Sequence, residues 1–425
     1  MTNSPPVASK WEDLLSSLPA HLDLDQSAIK HRALMRRREI SSGKDLLRLA
    51  FAYGPCGMSL RSTAAWASVN GLGKLSDVAV LKRLKGAKTW LEHIVSALLP
   101  DAEGQVFPNG HRLRLVDGTC ISKPGSKGTD FRVHASYDPA TGRFTHLKVT
   151  DVKVAEDLTH GPVEPGDIHI ADRGYARARG LHHILKEGGD FLVRTGWSKV
   201  GLNNLDGSRF DLFAALSQVN CGAPLEHSII IGGRIKAHHI PARLIILRKP
   251  PEAAEQEKKR LRRNASKKGT KLKASSLIAA EYMLLLTSLP QEYFNAASLA
   301  ALYRLRWQIE LAFKRLKSIL HMDRLPAKDP DLAKTWLLAH LILALLIERS
   351  SKDLQAIVPY PEEKTGRIPS TWRLYKMLSQ ALILAIQGVW NLNSITTHGR
   401  TFWRAIYEPP RKRKPQQIPR HPLLS

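Results

Sequence analysis

Near residue 110 the hydrophobic pattern of this 425-residue chain changes period, and that change limits the folds open to it. Residues 9–18, 30–40, 45–52, 59–69 and 76–99 read as helices, separated mostly by Gly and Pro breaks. After the Pro-Asn-Gly turn at 108–110 the apolar residues alternate instead. Residues 112–116, 131–137, 143–149 and 167–171 have strand period and are bounded by Gly, Pro and Asp. Tyr137-Asp-Pro-Ala-Thr-Gly-Arg143 reads as a hairpin turn. A helix at 178–187 and a strand at 190–194 follow, so a meander passes into a strand-helix-strand unit. An α/β layer domain is the expected fold class.

Beyond residue 195 the pattern is interrupted by strand-like runs at 228–231 and 240–247 and by a basic segment, 258–273, with nine Lys or Arg residues. That segment lacks a strong apolar pattern and is expected to be exposed and mobile: either a solvated loop or a hand on a phosphate backbone. Strand character returns at 282–287, and apolar helices at 336–348 and 372–390 are expected to cover the sheet. The expected division is a helical N-terminal, DNA-binding domain (1–105), a core (106–194 with 278–350), a β-rich insertion with its basic loop (195–277), a C-terminal helical region (351–407) and a basic, Pro-rich tail (408–425) disordered in isolation.

Lys and Arg number 64 against 38 Asp and Glu, a net charge of +26, which favours a polyanionic partner, nucleic acid first. No stretch has the layout of an interfacial membrane anchor, and the longest apolar run, at 336–347, is shorter than the roughly 20 residues that span a bilayer. Cys56, Cys120 and Cys221 are too few and scattered for a disulfide framework or a zinc site, so a reducing compartment is expected, and the N-terminus lacks a signal layout. The segments 59–69 and 76 onward, joined by Asn-Gly-Leu-Gly, outline a helix-turn-helix with Lys74, Lys82, Arg83, Lys85 and Lys88, although helix pairs without DNA contact are common. The basic run Lys30 to Arg38 favours DNA.

The segment 296–320 holds no Gly or Pro and follows a capping candidate, Asn295, so it reads as one long helix. Leu302, Leu305, Ile309, Ala312, Leu316 and Ile319 make its buried stripe. Tyr303, Glu310 and Lys317 lie seven residues apart and share one line with Arg306 beside them, either a solvated face or a phosphate grip. Two apolar strands deliver Asp117 and Asp172 to their expected C-terminal tips, where Gly follows and can turn the chain. On neighbouring strands the two could face one another, and a pair of Mg²⁺ ions, about 3.5–4 Å apart, would neutralise them, with Glu310 as a third ligand. Turn capping is the alternative role for each Asp. Asp151 is the runner-up second ligand, with Glu156 and Asp157 following it; His182-His183 and His238-His239 lack metal-site spacing.

Tyr303-x2-Arg306-x3-Glu310-x6-Lys317 resembles the Y-R-E-K signature of bacterial insertion-sequence transposases of the "type four" family, in the DDE group. Asp117-Gly-Thr and Ala171-Asp-Arg-Gly-Tyr175 resemble its two aspartate motifs, in the same order. The resemblance covers roughly residues 45 to 350. It implies an RNase H-like catalytic core interrupted by the β-rich insertion, an N-terminal region that recognises the element's ends, and metal-dependent cleavage followed by joining of the 3′-hydroxyl to target DNA. By the resemblance Asp117, Asp172 and Glu310 hold two Mg²⁺ ions, for which Mn²⁺ can substitute, and Tyr303, Arg306 and Lys317 hold phosphates. Lys82, Arg83, Lys258, Lys259, Arg260, Arg262 and Arg263 are further candidate DNA contacts. Partners expected are double-stranded terminal repeats and target DNA, with a dimer in the synaptic complex, no membrane, and a bacterial cytoplasmic, nucleoid-associated location. A hairpin intermediate is also implied, without an assignable supporting aromatic. A nuclease of the same core and an inactive DNA-binding descendant remain alternatives.

Overall fold

Ser42, Ser59 and Ser76 each turn a hydroxyl onto a free backbone N–H one turn further on, and these caps start three successive helices. The computed structural model describes residues 10–100, 110–219, 223–232, 239–357 and 370–388; Cys221, His238, residues 108 and 109 and the tail 408–425 lie outside them. In chain order the helices are α1 (Trp11–Ser16), α2 (Leu24–Lys30), α3 (Gly43–Tyr53), α4 (Leu60–Val69), α5 (Asp77–Gly86), α6 (Lys88–Leu98), α7 (Ala178–Lys186), α8 (Leu212–Ser217), α9 (Pro251–Lys267), α10 (Ala274–Ala279), α11 (Ala296–Arg304), α12 (Trp307–Ser318), α13 (Pro330–Ile357) and α14 (Thr371–Gln387). The strands are β1 (Arg112–Ile121), β2 (Phe131–Asp138), β3 (Arg143–Asp151), β4 (Asp167–Ala171), β5 (Asp190–Thr195), β6 (Gly201–Asn203), β7 (Leu225–Gly232), β8 (Ile240–Arg248) and β9 (Tyr282–Thr287).

The chain divides into two compact units, Met1–Ile94 with Ala327–Ser425, and Val95–Pro326. In the first, α13 packs against α3, α5 and α14. The expectation that 336–348 and 372–390 cover the sheet is therefore corrected: both helices pack within the first unit. Pro330–Leu354 is long and apolar enough to cross a membrane, but 83% of its apolar window is buried in the protein, as a core helix should be. The helix expected over 30–40 is absent. Instead α2 ends at Lys30, Arg32 takes a φ of 57°, and the N–H groups of Ala33 and Leu34 both return to the Ala28 carbonyl. The expected 76–99 helix breaks at Ala87 into α5 and α6.

Much of the charge on α5 and at the start of α6 is engaged locally. Lys85 pairs with Asp329 at 2.7 Å, Lys88 with Asp331 at 2.6 Å, and Arg83 donates to the Arg36 carbonyl at 2.8 Å. Lys74 and Lys82 stay exposed. Gly43, the first residue of α3, sits against α2: a Cβ there would stand 2.3 Å from the Leu24 carbonyl oxygen. Backbone cannot yield as a side chain can. Gly43→Ala is expected to destabilise the protein by about 1–3 kcal/mol despite alanine's better helix propensity, read as a lower denaturant midpoint with unchanged slope.

The second unit is built on one nine-stranded sheet, ordered β3-β2-β1-β4-β5-β9-β8-β7-β6. β1 runs parallel to β4, and β4 to β5, with α7 as the crossover; the remaining pairs are antiparallel. Strands β6 to β8, expected within a separate insertion, extend the same sheet through β9. Their side chains share its core: Val116, Ala171, Phe191 and Val193 belong to one buried cluster with Ile229, Ile231, Leu244 and Leu286. The basic segment expected as a mobile loop is largely helical, ending α9. Proline at its first position and the pairs Lys258–Glu255 and Arg260–Glu257, three residues apart, support a helix with only Ala254 buried. Lys258 also pairs with Glu281, whereas Lys259, Arg262 and Arg263 are exposed.

Candidate active site

Parallel pairing of β1 with β4 ends at Val116 opposite Ala171, and the next residue on each strand is Asp117 and Asp172. Adjacent parallel strands thus present their carboxyls side by side, where ligand groups collect in α/β sheets. Asp117 does not end its strand, as expected from the sequence; β1 continues along β2 to Ile121, and it is β4 that stops. Each aspartate uses one oxygen locally, Asp117 Oδ1 accepting from the Gly118 N–H at 2.8 Å and Asp172 Oδ1 from the Gly174 N–H at 2.7 Å. Asp151, the runner-up, is exposed at the C-terminal end of β3, two strands from β1 and level with Ile121, and accepts from the Lys153 N–H.

The long helix expected over 296–320 is broken. Leu305, Arg306, Gln308 and Ile309 all bond to carbonyls three residues back, so a tight 3-10 turn joins α11 to α12. Of the expected stripe Ile309, Ala312 and Leu316 are buried, whereas Leu302, Leu305 and Ile319 are only half-buried, and Phe313 and Tyr303 are buried instead. Arg306 lies at the joint. Its guanidinium pairs with Asp117 Oδ2 at 3.4 Å and with Glu310 Oε1, one turn along α12. One cation therefore gathers the strand carboxylate and the helix carboxylate. Tyr303 is only 8% exposed and shares a hydrogen bond with Arg306; burial foremost holds its phenol above its ordinary pKa. Lys317 donates to the Cys120 carbonyl at 3.3 Å, near the end of β1.

Three residues that spacing alone did not single out complete the cluster. Glu156, in the segment between β3 and β4, pairs with Arg132 of β2 at 3.4 Å, and Arg132 is itself fixed by donating to the Val154 carbonyl at 2.5 Å. The glycines after the two aspartates make room for this carboxylate. A Cβ on Gly118 would stand 3.3 Å from Glu156 Oε1, and one on Gly174 would stand 2.7 Å from Glu156 Oε2 and 3.0 Å from Asp172 Oδ1. Neither glycine takes a positive φ, so clearance and not a left-handed turn is their role. Tyr175, in the Asp-Arg-Gly-Tyr motif, is 1% exposed, and its hydroxyl has no hydrogen-bond partner among the described residues.

Burial, above all, pushes the Asp117 carboxyl up to about 6; the Gly118 N–H and Arg306 oppose the shift, and Asp172 and Glu156 add to it. Among the described residues no three acids, histidines or cysteines form a ready metal cage. The donor set is nonetheless that of a hard cation: carboxylate oxygens, crowded and repelling, with a buried hydroxyl lacking an acceptor. A guanidinium at the acids marks where positive charge is stabilised. His182 and His183 lie on α7, where His183 faces Glu187.

Carboxylates on parallel strands, with cations on a facing helix, suit phosphoryl transfer. Residues 108–346 match a family model described as the transposase DDE domain, and the chain belongs to that family. It is 43% identical over 361 residues to the putative transposase InsL for insertion sequence element IS186A of Escherichia coli (strain K12), covering 84% of this chain and 97% of the relative. Identity to the transposase for insertion sequence element IS421 of Escherichia coli is 42% over 362 residues, with the same coverage. The transposase for insertion sequence element IS231F of Bacillus thuringiensis subsp. israelensis is 24% identical, covering 72% of this chain and 71% of the relative. A piggyBac transposase synaptic complex with hairpin DNA matches at TM-score 0.47 and 8% identity, over 92% of this chain and 82% of that chain, too loosely to carry an argument. The protein is a bacterial insertion-sequence DNA transposase, a divalent-metal-dependent enzyme of the DDE type.

Proposed function

We propose that Asp117, Asp172 and Glu310 are the three acids of the DDE centre and that the protein cleaves its element's ends and joins the freed 3′-hydroxyls to target DNA. One observation carries the assignment: the Arg306 guanidinium bridges Asp117 on the sheet and Glu310 on the helix. Two Mg²⁺ ions bound by these acids would activate the attacking water or hydroxyl and stabilise the leaving oxygen. The chain's own task is placement. Arg306 can exchange its carboxylate partners for a phosphate, which its planar fork suits, and Lys317 supplies a point charge from α12, which Arg306 precedes. Tyr303, buried beneath them, positions Arg306 and keeps its hydroxyl within the site.

The five strands β3-β2-β1-β4-β5 are the proposed RNase H-like core, and 195–277 the proposed insertion. Exposed Lys259, Arg262 and Arg263 on α9, and Lys82 on α5, are the favoured contacts to flanking DNA. The reaction pairs two ends, so a dimer in the synaptic complex is proposed, acting in the cytoplasm. The test is an oligonucleotide bearing the element's terminal inverted repeat, incubated with the protein, Mg²⁺ and a plasmid. Repeat DNA joined to the plasmid through its 3′ end is the expected product. Cleavage without a joined product would favour a nuclease.

A further inference from the structure

The carboxylate of Glu156 is built into the acid cluster from three directions. Gly118 and Gly174 leave its two oxygens the space that a Cβ would occupy. Arg132, anchored on the Val154 carbonyl, holds it from behind as an ion pair. From the core side comes the Tyr175 hydroxyl, which is 3.3 Å from the Cβ position at Gly118, as Glu156 Oε1 also is. Tyr175 is fully enclosed and its O–H has no acceptor among the described residues. A buried hydroxyl without a partner costs about 1–3 kcal/mol, so one aimed among carboxylates is set for an acceptor that arrives or reorients.

Charge gives the same direction. Asp117, Asp172, Glu310 and Glu156 bring four carboxylates together, and Arg306 and Arg132 balance only two of them. If Arg306 turns to a phosphate, the remaining acids call for divalent charge. A carboxylate needed only for structure would gain nothing from standing against the glycines that follow the two aspartates. An Arg132–Glu156 pair of that kind could sit anywhere on the sheet's rim.

We propose that Glu156 is a fourth carboxylate ligand of the divalent cations at this centre, and that the Tyr175 hydroxyl is a positioning donor to that carboxylate or to water held beside it. The proposal rests on the metal reading of Asp117, Asp172 and Glu310, and the test separates the two. Mn²⁺ alone is titrated into the full-length protein without DNA, and bound and free ion are counted by electron paramagnetic resonance. Wild type is compared with Glu156→Gln, Tyr175→Phe and Asp117→Asn.

Glu156→Gln keeps the shape of the side chain and is expected to weaken Mn²⁺ binding by roughly 10–100-fold or to remove one ion. Tyr175→Phe should weaken it several-fold with an unchanged circular dichroism spectrum. Wild-type Mn²⁺ binding by Glu156→Gln, with binding lost in Asp117→Asn, overturns the proposal and leaves the metal centre standing. Unchanged binding in Asp117→Asn as well sinks the metal reading and the proposal with it. Should Glu156→Gln fail to fold, Tyr175→Phe decides, since wild-type affinity in that variant removes the hydroxyl's role and overturns the joint assignment.

Discussion

Asp117→Asn, Asp172→Asn and Glu310→Gln are each expected to lower end cleavage on the order of a thousandfold or more, a loss of several kcal/mol of transition-state stabilisation. Binding to the uncleaved end should change little. The reason is geometric: the three side chains come from β1, the end of β4 and α12, and none can take over another's position. Glu310 is the informative one, because its side chain is 54% exposed and contributes almost nothing to the core. A loss of cleavage in this variant therefore cannot be put down to a loss of stability. Cleavage and gel-shift binding measured in parallel check the set. Wild-type cleavage by Glu310→Gln would remove the helix acid from the centre and leave Arg306 as an ordinary surface pair.

The second large effect concerns pH. The Asp117 carboxyl titrates near 6 in the folded protein, against 3.8 for the unperturbed group, chiefly because it is buried. Between those values the folded state holds a proton that the unfolded state has released, so this group makes the cation-free protein less stable as pH rises through the window. The cost is complete above pH 6 and is on the order of 2–3 kcal/mol before solvent screening reduces it. Asp117→Asn removes it. In EDTA at pH 8 the variant should melt higher than wild type while its cleavage falls, an outcome expected where stability has been given up for function. Loss of the 3.4 Å pair with Arg306 offsets part of the gain.

Other groups titrate with the opposite sign, so the comparison must be a difference curve. Burial, before any neighbouring charge, lowers His134 and His146 to about 4 and His169 to about 3. Each is protonated first in the unfolded chain, so their contribution is present at neutral pH and lost as pH falls through their folded values. Wild type and Asp117→Asn share these three. Their melting curves should converge toward pH 4 and diverge toward pH 7; curves that stay parallel would show that Asp117 is not held in its charged form at a cost.

Period and capping made much of the secondary structure legible. Strands β1 to β4 carry strand period, β5 is a short apolar run, and Ser59 and Ser76 announce their helices, because in these cases the local signal and the tertiary outcome agree. Where they diverge the cause can be named. The basic segment of α9 has no apolar period because only Ala254 is buried, and the helix rests on its own ion pairs and its proline start. The break at Leu305–Arg306 has no Gly or Pro to mark it and is a change of hydrogen-bond step from four to three. Arg32, a non-glycine at positive φ, ends α2 where composition favours continuing. At the site, ordered motifs brought Asp117, Asp172 and Glu310 to notice. Glu156 stands at no fixed spacing from any of them; the sequence showed it only as an acid following Asp151, and indirectly through the two glycines that clear its space.

The single sheet also makes the region 195–277 difficult to remove. Strand β9, which leads through α11 to the Glu310 helix α12, is hydrogen-bonded to β5 on one side and to β8 on the other. Deleting β6 to β8 would strip Leu284 and Leu286 of their Ile246 and Leu244 neighbours and leave a bare apolar edge with a full row of unpaired backbone groups. A shortened transposase of this kind would recruit strands from other copies of itself. Solubility, before catalysis, would be its first casualty.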